Sequence, residues 1–139
     1  MVMRYKTFDH TADLGIEVYG EDQNQLFSNA GFALFDLIAG ADTIAVKISL
    51  DLTVEEMNLE DLMVNWLREL LYLHQSERYL FRDFIIHEIS EKLLRATLKG
   101  EKCDLQRHEL IREIKAVTYH QIKVAYEKGG LISRIVLDI

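Results

Sequence analysis

From residue 44 to residue 54 the chain alternates, with Ile44, Val46, Ile48, Leu50, Leu52 and Val54 separated by Ala45, Lys47, Ser49, Asp51 and Thr53. A period of two marks a strand with one face on a core and the other in water. The chain is therefore committed to a sheet that something must cover. Leu59, Leu62, Met63, Trp66, Leu67, Leu70, Leu71 and His74 then recur at helical spacing. Asn58 is placed to cap that helix, and Glu60 and Asp61 suit its dipole. A second helix is predicted from Gln23, where Leu26, Ala30, Ala33, Leu34, Leu37 and Ile38 form a stripe that Phe27 and Phe35 widen and Gly40 ends.

Other stretches read as strands. Leu14 to Val18 alternates apolar residues with Gly15 and Glu17 before Gly20 breaks the pattern, and Leu80 to Ile89 and Lys92 to Leu98 form two runs joined near Ser90-Glu91. Gly100 to Arg112 is polar and reads as an irregular excursion. Lys115 to Tyr126, a turn at Lys128-Gly129-Gly130, and Leu131 to Ile139 predict a C-terminal hairpin, because paired glycines allow a tight reversal. The order predicts an α+β fold, two helices packed on a largely antiparallel or mixed sheet of about seven strands. No glycine-rich loop joins a strand to a helix, which disfavours a doubly wound nucleotide-binding fold.

Length and charge narrow the function. With 139 residues, 49% of them apolar, and neither repeats nor low-complexity stretches, residues 1–139 are expected to form a single domain. No apolar run reaches the roughly 18 residues of a membrane helix, and Met1-Val2-Met3-Arg4-Tyr5-Lys6 lacks a signal-peptide core, so a soluble, cytoplasmic protein without a membrane role is expected. Sixteen basic against 23 acidic residues give a formal charge of −7, the wrong sign for strong direct nucleic-acid binding. Cys103 is the single cysteine and reads as inert filler. Proline is absent, which leaves the turns to glycine, Asp and Asn.

Chemistry concentrates in a few places. Asp9-His10-Thr11-Ala12-Asp13 packs two carboxylates, an imidazole and a hydroxyl between two strands. Asp9 and Thr11 can simply bond loop amides and His10 can tuck under the sheet. Asp13 borders an apolar strand, where a carboxylate needs a cation or several donors. Asp138 stands in the apolar run Ile135-Val136-Leu137-Asp138-Ile139, which ends in a second anionic group, the terminal carboxylate. Fraying into water is the simple reading of that end. If it lies beside Asp13, then Asp13, Asp138 and the Ile139 carboxylate supply three hard oxygen ligands suited to calcium, magnesium or manganese.

In Lys115-Ala116-Val117-Thr118-Tyr119-His120, alternation sets Lys115, Val117 and Tyr119 on one face and Ala116, Thr118 and His120 on the other. Lys115 could balance an acidic pocket. The ordinary reading puts Tyr119 at the core edge and gives His120 a hydrogen bond. His74 reads as a core-edge histidine, and His108-Glu109 as a second polar cluster or an exposed loop, with the exposed loop preferred. A small metal-dependent phosphoester hydrolase, with His120 or His10 as general base, stays open from the residues alone.

Taken together, Asp9-His10-Thr11-Ala12-Asp13, Asn65-Trp66-Leu67-x-Glu69-Leu70-Leu71, His108-Glu109, Lys115-Ala116-Val117-Thr118-Tyr119-His120 and Val136-x-Asp138-Ile139 resemble the archease family across nearly the whole chain. The resemblance implies an accessory activator, not itself an enzyme, of the GTP-dependent RNA-splicing ligase that joins RNA ends in tRNA splicing and RNA repair. It would promote guanylylation of the ligase and repeated turnover. The resemblance also implies a divalent-metal pocket formed by Asp13, Asp138 and Ile139, calcium being the ion expected in a structure. Asp9, His10, Lys115 and His120 would support that pocket. An older description of the family as a tRNA-modification chaperone implies a tRNA methyltransferase as another partner. One departure is visible: Leu105 stands where a proline is common, which would leave that loop less rigid.

Overall fold

The computed structural model describes residues 3–10, 12–127 and 129–139, with His10 described in its main chain alone. Among the described residues seven strands and two α-helices follow in the order β1 Tyr5–His10, β2 Asp13–Gly20, α1 Gln23–Ala39, β3 Ile48–Glu55, α2 Leu59–Glu77, β4 Tyr79–Ile89, β5 Leu93–Lys102, β6 Ala116–Glu127 and β7 Gly130–Asp138. The α+β class expected from the residue pattern holds. The strands divide into two antiparallel sheets, one ordered β1-β2-β7-β6 and the other β3-β5-β4.

Both helices touch both sheets, which explains why α1 is buried on nearly all sides. Small residues at Ala30, Gly31 and Ala33 let the strands approach, and Phe27 and Phe35 fill the space between the layers. The phenyl ring of Phe35 meets Phe81 edge-on at 5.6 Å, and the Trp66 indole N–H donates to the Phe27 carbonyl at 2.9 Å, joining α2 to α1 through the core. Each helix start is capped by a side chain. Asp22 accepts from the Gln25 amide and the predicted cap Asn58 from the Asp61 amide, both at 2.8 Å. Gly40 ends α1 at φ 77, a conformation that costs glycine little.

Several local expectations are corrected. Residues 44–47 lie outside β3 although they alternate, and side chains claim main-chain groups of the first two. Arg82 donates to the Ile44 carbonyl at 3.0 Å, and the Ala45 amide donates to Glu101 at 2.6 Å. The Asp9-to-Asp13 segment is less of a loop than expected, since Asp9 and His10 close β1 and Asp13 opens β2, with Ala12 at φ 62. The described part of the C-terminal turn is glycine-rich as expected, with Gly129 at φ 83; Lys128 and Thr11 lie outside the described residues.

Strand β6 is not the regular strand that its alternation predicts. Thr118 pairs with Val136 and Lys123 with Arg134, so residues 119–122 bulge opposite Ile135 alone. Gln121 at φ 55 turns the chain there. Tyr119 is carried outward, 42% exposed, instead of sitting against the core.

Candidate functional site

Strands β2 and β7 are neighbours in the middle of the four-stranded sheet, and their ladder runs to the pair Leu14↔Leu137. Asp13, one residue before Leu14, and Asp138, one residue after Leu137, therefore stand side by side at the sheet's end. His10 pairs with Asp13 on one flank and Ala116 pairs with Asp138 on the other. The row His10, Asp13, Asp138, Ala116 is drawn from four strands that are far apart along the chain. Residues opposite each other in such a row have Cβ atoms roughly 5 Å apart.

The surroundings fix this row. The Lys115 amide donates to the Asp138 carbonyl at 2.7 Å, setting the exposed Lys115 at the rim. From α2, Gln75 donates to the carbonyls of Ile114 and Lys115, both at 3.2 Å, and Arg68 Nε donates to the Val117 carbonyl at 3.0 Å. The Arg68 guanidinium also lies 4.8 Å from the centre of the Tyr119 ring, whose hydroxyl accepts from Asn65 at 3.3 Å. Trp66 faces the core while Asn65 and Arg68 hold β6. One helix thus builds the interior and fastens the strand that flanks Asp138.

Behind the acidic row the open face of the sheet is closed by its own side chains. The next row is Phe8, Gly15, Val136 and Thr118. A Cβ on Gly15 would lie 2.2 Å from the Phe8 ring, so glycine is what lets that ring lie flat across the strand. Val136 consequently stays buried on a face that no helix covers. Arg134 extends over the ring at 4.2 Å. Its Nε is 3.2 Å from Glu17 Oε2, an ion pair without an aligned hydrogen bond. The Tyr19 hydroxyl donates to Glu17 at 2.6 Å and holds that carboxyl below its ordinary range, whereas burial and the neighbouring Glu17 push the Tyr19 hydroxyl up to about 12.

The other residues singled out by sequence are scattered around this centre. Asp9 pairs with Leu14, so its register position alternates to the face opposite Asp13. His120 is exposed at the start of the β6 bulge, where its amide donates to Thr118 Oγ1 at 3.2 Å. The His10 side chain lies outside the described residues. Ile139 follows Asp138 and is 44% exposed. Among the described residues no three His, Cys, Asp or Glu side chains gather into a metal site. A cation at the end of the sheet would need the Ile139 carboxylate beside the two aspartates. Adjacent carboxylates repel, and hard oxygen donors suit a divalent ion, so the donor chemistry of the row fits such an ion.

His74 is a core-edge histidine as expected, its Nδ1–H donating to the Tyr79 carbonyl at 3.0 Å. His108 departs from expectation: it is 3% exposed, while Glu109 alone faces water. His108 Nδ1 accepts from the Asp104 amide and Nε2 donates to Glu101, both at 2.9 Å, which fixes a neutral ring with its proton on Nε2. Glu101, also 3% exposed, takes further donors from the Ala45 amide and Arg107, and Lys47 stands 3.6 Å away. Burial raises the Glu101 pKa, but the Ala45 amide, His108 and Arg107 outweigh it and hold the group at about 2. The sequence reading missed this cluster; its available signal was Arg107-His108 a short loop beyond an acid on a core-facing strand.

Comparison with known proteins gives one answer. The Archease protein family matches residues 5–139. The archease of Pyrococcus furiosus is 38% identical over 98% of this chain and 99% of its own. That of Pyrococcus abyssi is 39% identical with the same shares covered. The solution structure of Methanobacterium thermoautotrophicum protein 1598 superposes with a TM-score of 0.83 at 32% identity, covering 98% of this chain and 99% of that one. A crystal structure of a Thermotoga maritima archease, described as a possible chaperone, has a TM-score of 0.67 at 22% identity, covers 100% of this chain and 99% of that one, and shares the fold. Family match, full-length identity and superposition agree: the chain belongs to the archease family.

Proposed function

We propose that this protein is an accessory activator of the GTP-dependent RNA-splicing ligase, promoting its guanylylation and repeated turnover, and that a divalent cation held by Asp13, Asp138 and the Ile139 carboxylate is central to that role. The observation that supports this reading most is the pairing of β2 with β7, which sets Asp13 beside Asp138. Calcium, magnesium and manganese all suit such oxygen donors. The cation would supply positive charge at a docking surface. The chain itself holds the two aspartates in register, brings Lys115 to their rim through its amide, and braces β6 from α2. A formal charge of −7 would speed encounter with a basic active-site cleft on the ligase.

The test measures guanylylation of purified ligase with wild-type, Asp13→Ala and Asp138→Ala protein. Stimulation is expected to vanish in both variants while their melting temperatures stay close to wild type. Full stimulation by both would overturn the role given to the acidic row. Incubating the protein alone with RNA provides the second arm, in which no turnover is expected. Turnover that disappears in Asp13→Ala would replace the activator by a hydrolase.

A further inference from the structure

A cavity of about 410 Å³ lies between the end of α2 and the irregular segment that leads to Lys115. It is separate from the acidic row and independent of the proposal above. Its apolar lining is the exposed Leu110, the buried Ile114 and the half-buried Cys103. Two arginines reach it from different elements. Arg78 ends α2 at φ 63, its amide donating to the His74 carbonyl at 2.9 Å and its carbonyl accepting from Cys103 at 2.7 Å. The backbone there is tied on both sides, yet among the described residues the Arg78 guanidinium has no hydrogen bond, ion pair or aromatic face. Arg112 also lines the cavity, its Nη1 donating to the Leu37 carbonyl at 2.8 Å and so tying the side chain to the end of α1.

Glu113 is the one acid in the lining beside Arg78 and Arg112, so the charged lining residues are net basic within a molecule of formal charge −7. His74 lines the same cavity, and its Nδ1–H is taken by the Tyr79 carbonyl at 3.0 Å. Burial lowers the His74 pKa. Small-molecule sites have this character, an apolar wall with a few convergent polar groups. Paired guanidinium forks match the oxygens of a phosphate.

We infer that this cavity binds a small organic phosphate monoester, the phosphate taken by Arg78 and Arg112 and the organic body laid against Leu110 and Ile114. A dianion suits two guanidiniums opposed by a single carboxylate. The occupied pocket would join α2 to the segment whose next residue, Lys115, bonds to Asp138.

Amide chemical-shift titration of the full chain with phenyl phosphate, inorganic phosphate and benzoate tests this. Saturable shifts confined to residues 74–78, 103 and 110–114 are expected with phenyl phosphate, at an affinity at least tenfold above that for inorganic phosphate or benzoate. Arg78→Gln and Arg112→Gln should each weaken phenyl phosphate about tenfold, equivalent to about 1.4 kcal/mol. Arg78→Lys should retain part of the affinity. Absence of saturable shifts at millimolar phenyl phosphate, or unchanged binding by Arg78→Gln, would overturn the site. Equal affinity for inorganic phosphate would overturn the organic body, and tighter benzoate would overturn the phosphate. The Arg78 side chain makes no structural bond, so Arg78→Gln decides the matter even if Arg112→Gln unfolds.

Discussion

Glu101 and the Asp13–Asp138 pair are both acidic centres made by the pairing of strands, but they are finished differently. Glu101 is almost wholly buried and receives its donors from the chain itself: the Ala45 amide, Arg107 and His108, with Lys47 nearby. Asp13 and Asp138 are half-buried, lie on adjacent strands at the end of a sheet, and have the exposed Ile139 and Lys115 at their rim. The first arrangement fastens the irregular segment to β5 and to the approach of β3. The second leaves two oxygen-bearing groups where something from outside can reach them. A buried acid with a full set of donors is a structural part, whereas half-buried acids at the end of a sheet stand within reach of an ion from solution.

The largest test of this contrast removes the buried acid. Glu101→Ala leaves the Ala45 amide and His108 Nε2–H without their acceptor, and chemical denaturation should show a loss of about 3–5 kcal/mol. A loss comparable to that of a surface substitution would show that the cluster fastens nothing. The pH dependence sharpens the same point. The Glu101 pKa is lowered in the folded state from 4.5 to about 2, so its contribution is fully present above 4.5 and is lost as pH falls toward 2. About 3 kcal/mol of stability should disappear across that window, and Glu101→Gln should flatten it.

The open pair should respond to ions instead. Calcium at a hundredfold excess over its dissociation constant should raise stability by about 2.7 kcal/mol, read as a shift in the denaturation midpoint. Asp13→Asn or Asp138→Asn should abolish that gain, and Glu101→Gln should leave it intact. A gain that survives both aspartate variants would place the ion elsewhere. The smallest effect concerns the row behind the acids. Gly15→Ala forces a methyl into the Phe8 ring and should cost about 1–3 kcal/mol, with part of the loss recovered when Phe8→Leu is added.

Much of this architecture is legible in the residues, and the exceptions have physical causes. Alternation at 44–54 marks a strand, but it begins only at Ile48, and main-chain groups of Ile44 and Ala45 are bonded by Arg82 and Glu101, side chains distant in sequence. Periodicity finds strands without saying which ones pair, so two sheets could not be separated from one. Helix α1 reads as a stripe, whereas its burial on nearly all sides follows from being held between those sheets. His108 was expected in water because nothing in its own segment alternates, and its partner Glu101 stands at the end of β5. The acids at positions 13 and 138 were conspicuous as residues. Their adjacency depends on β2 and β7 sharing a ladder, which local pattern does not encode.

The irregularity in β6 also sets a phase. Thr118 and Lys123 both pair on the side of the sheet away from the helices, though five positions apart, while Val117 before the bulge and Ile122 and Val124 after it lie against the core. An odd step between two residues of like facing inverts the parity of the strand. Losing or gaining one residue between 118 and 123 would turn Ile122 and Val124 to water and drive Lys123 inward, or else displace Ala116 from beside Asp138. The count of residues in that short span is therefore held more tightly than their identities, so exchanges there should be tolerated where insertions and deletions are not.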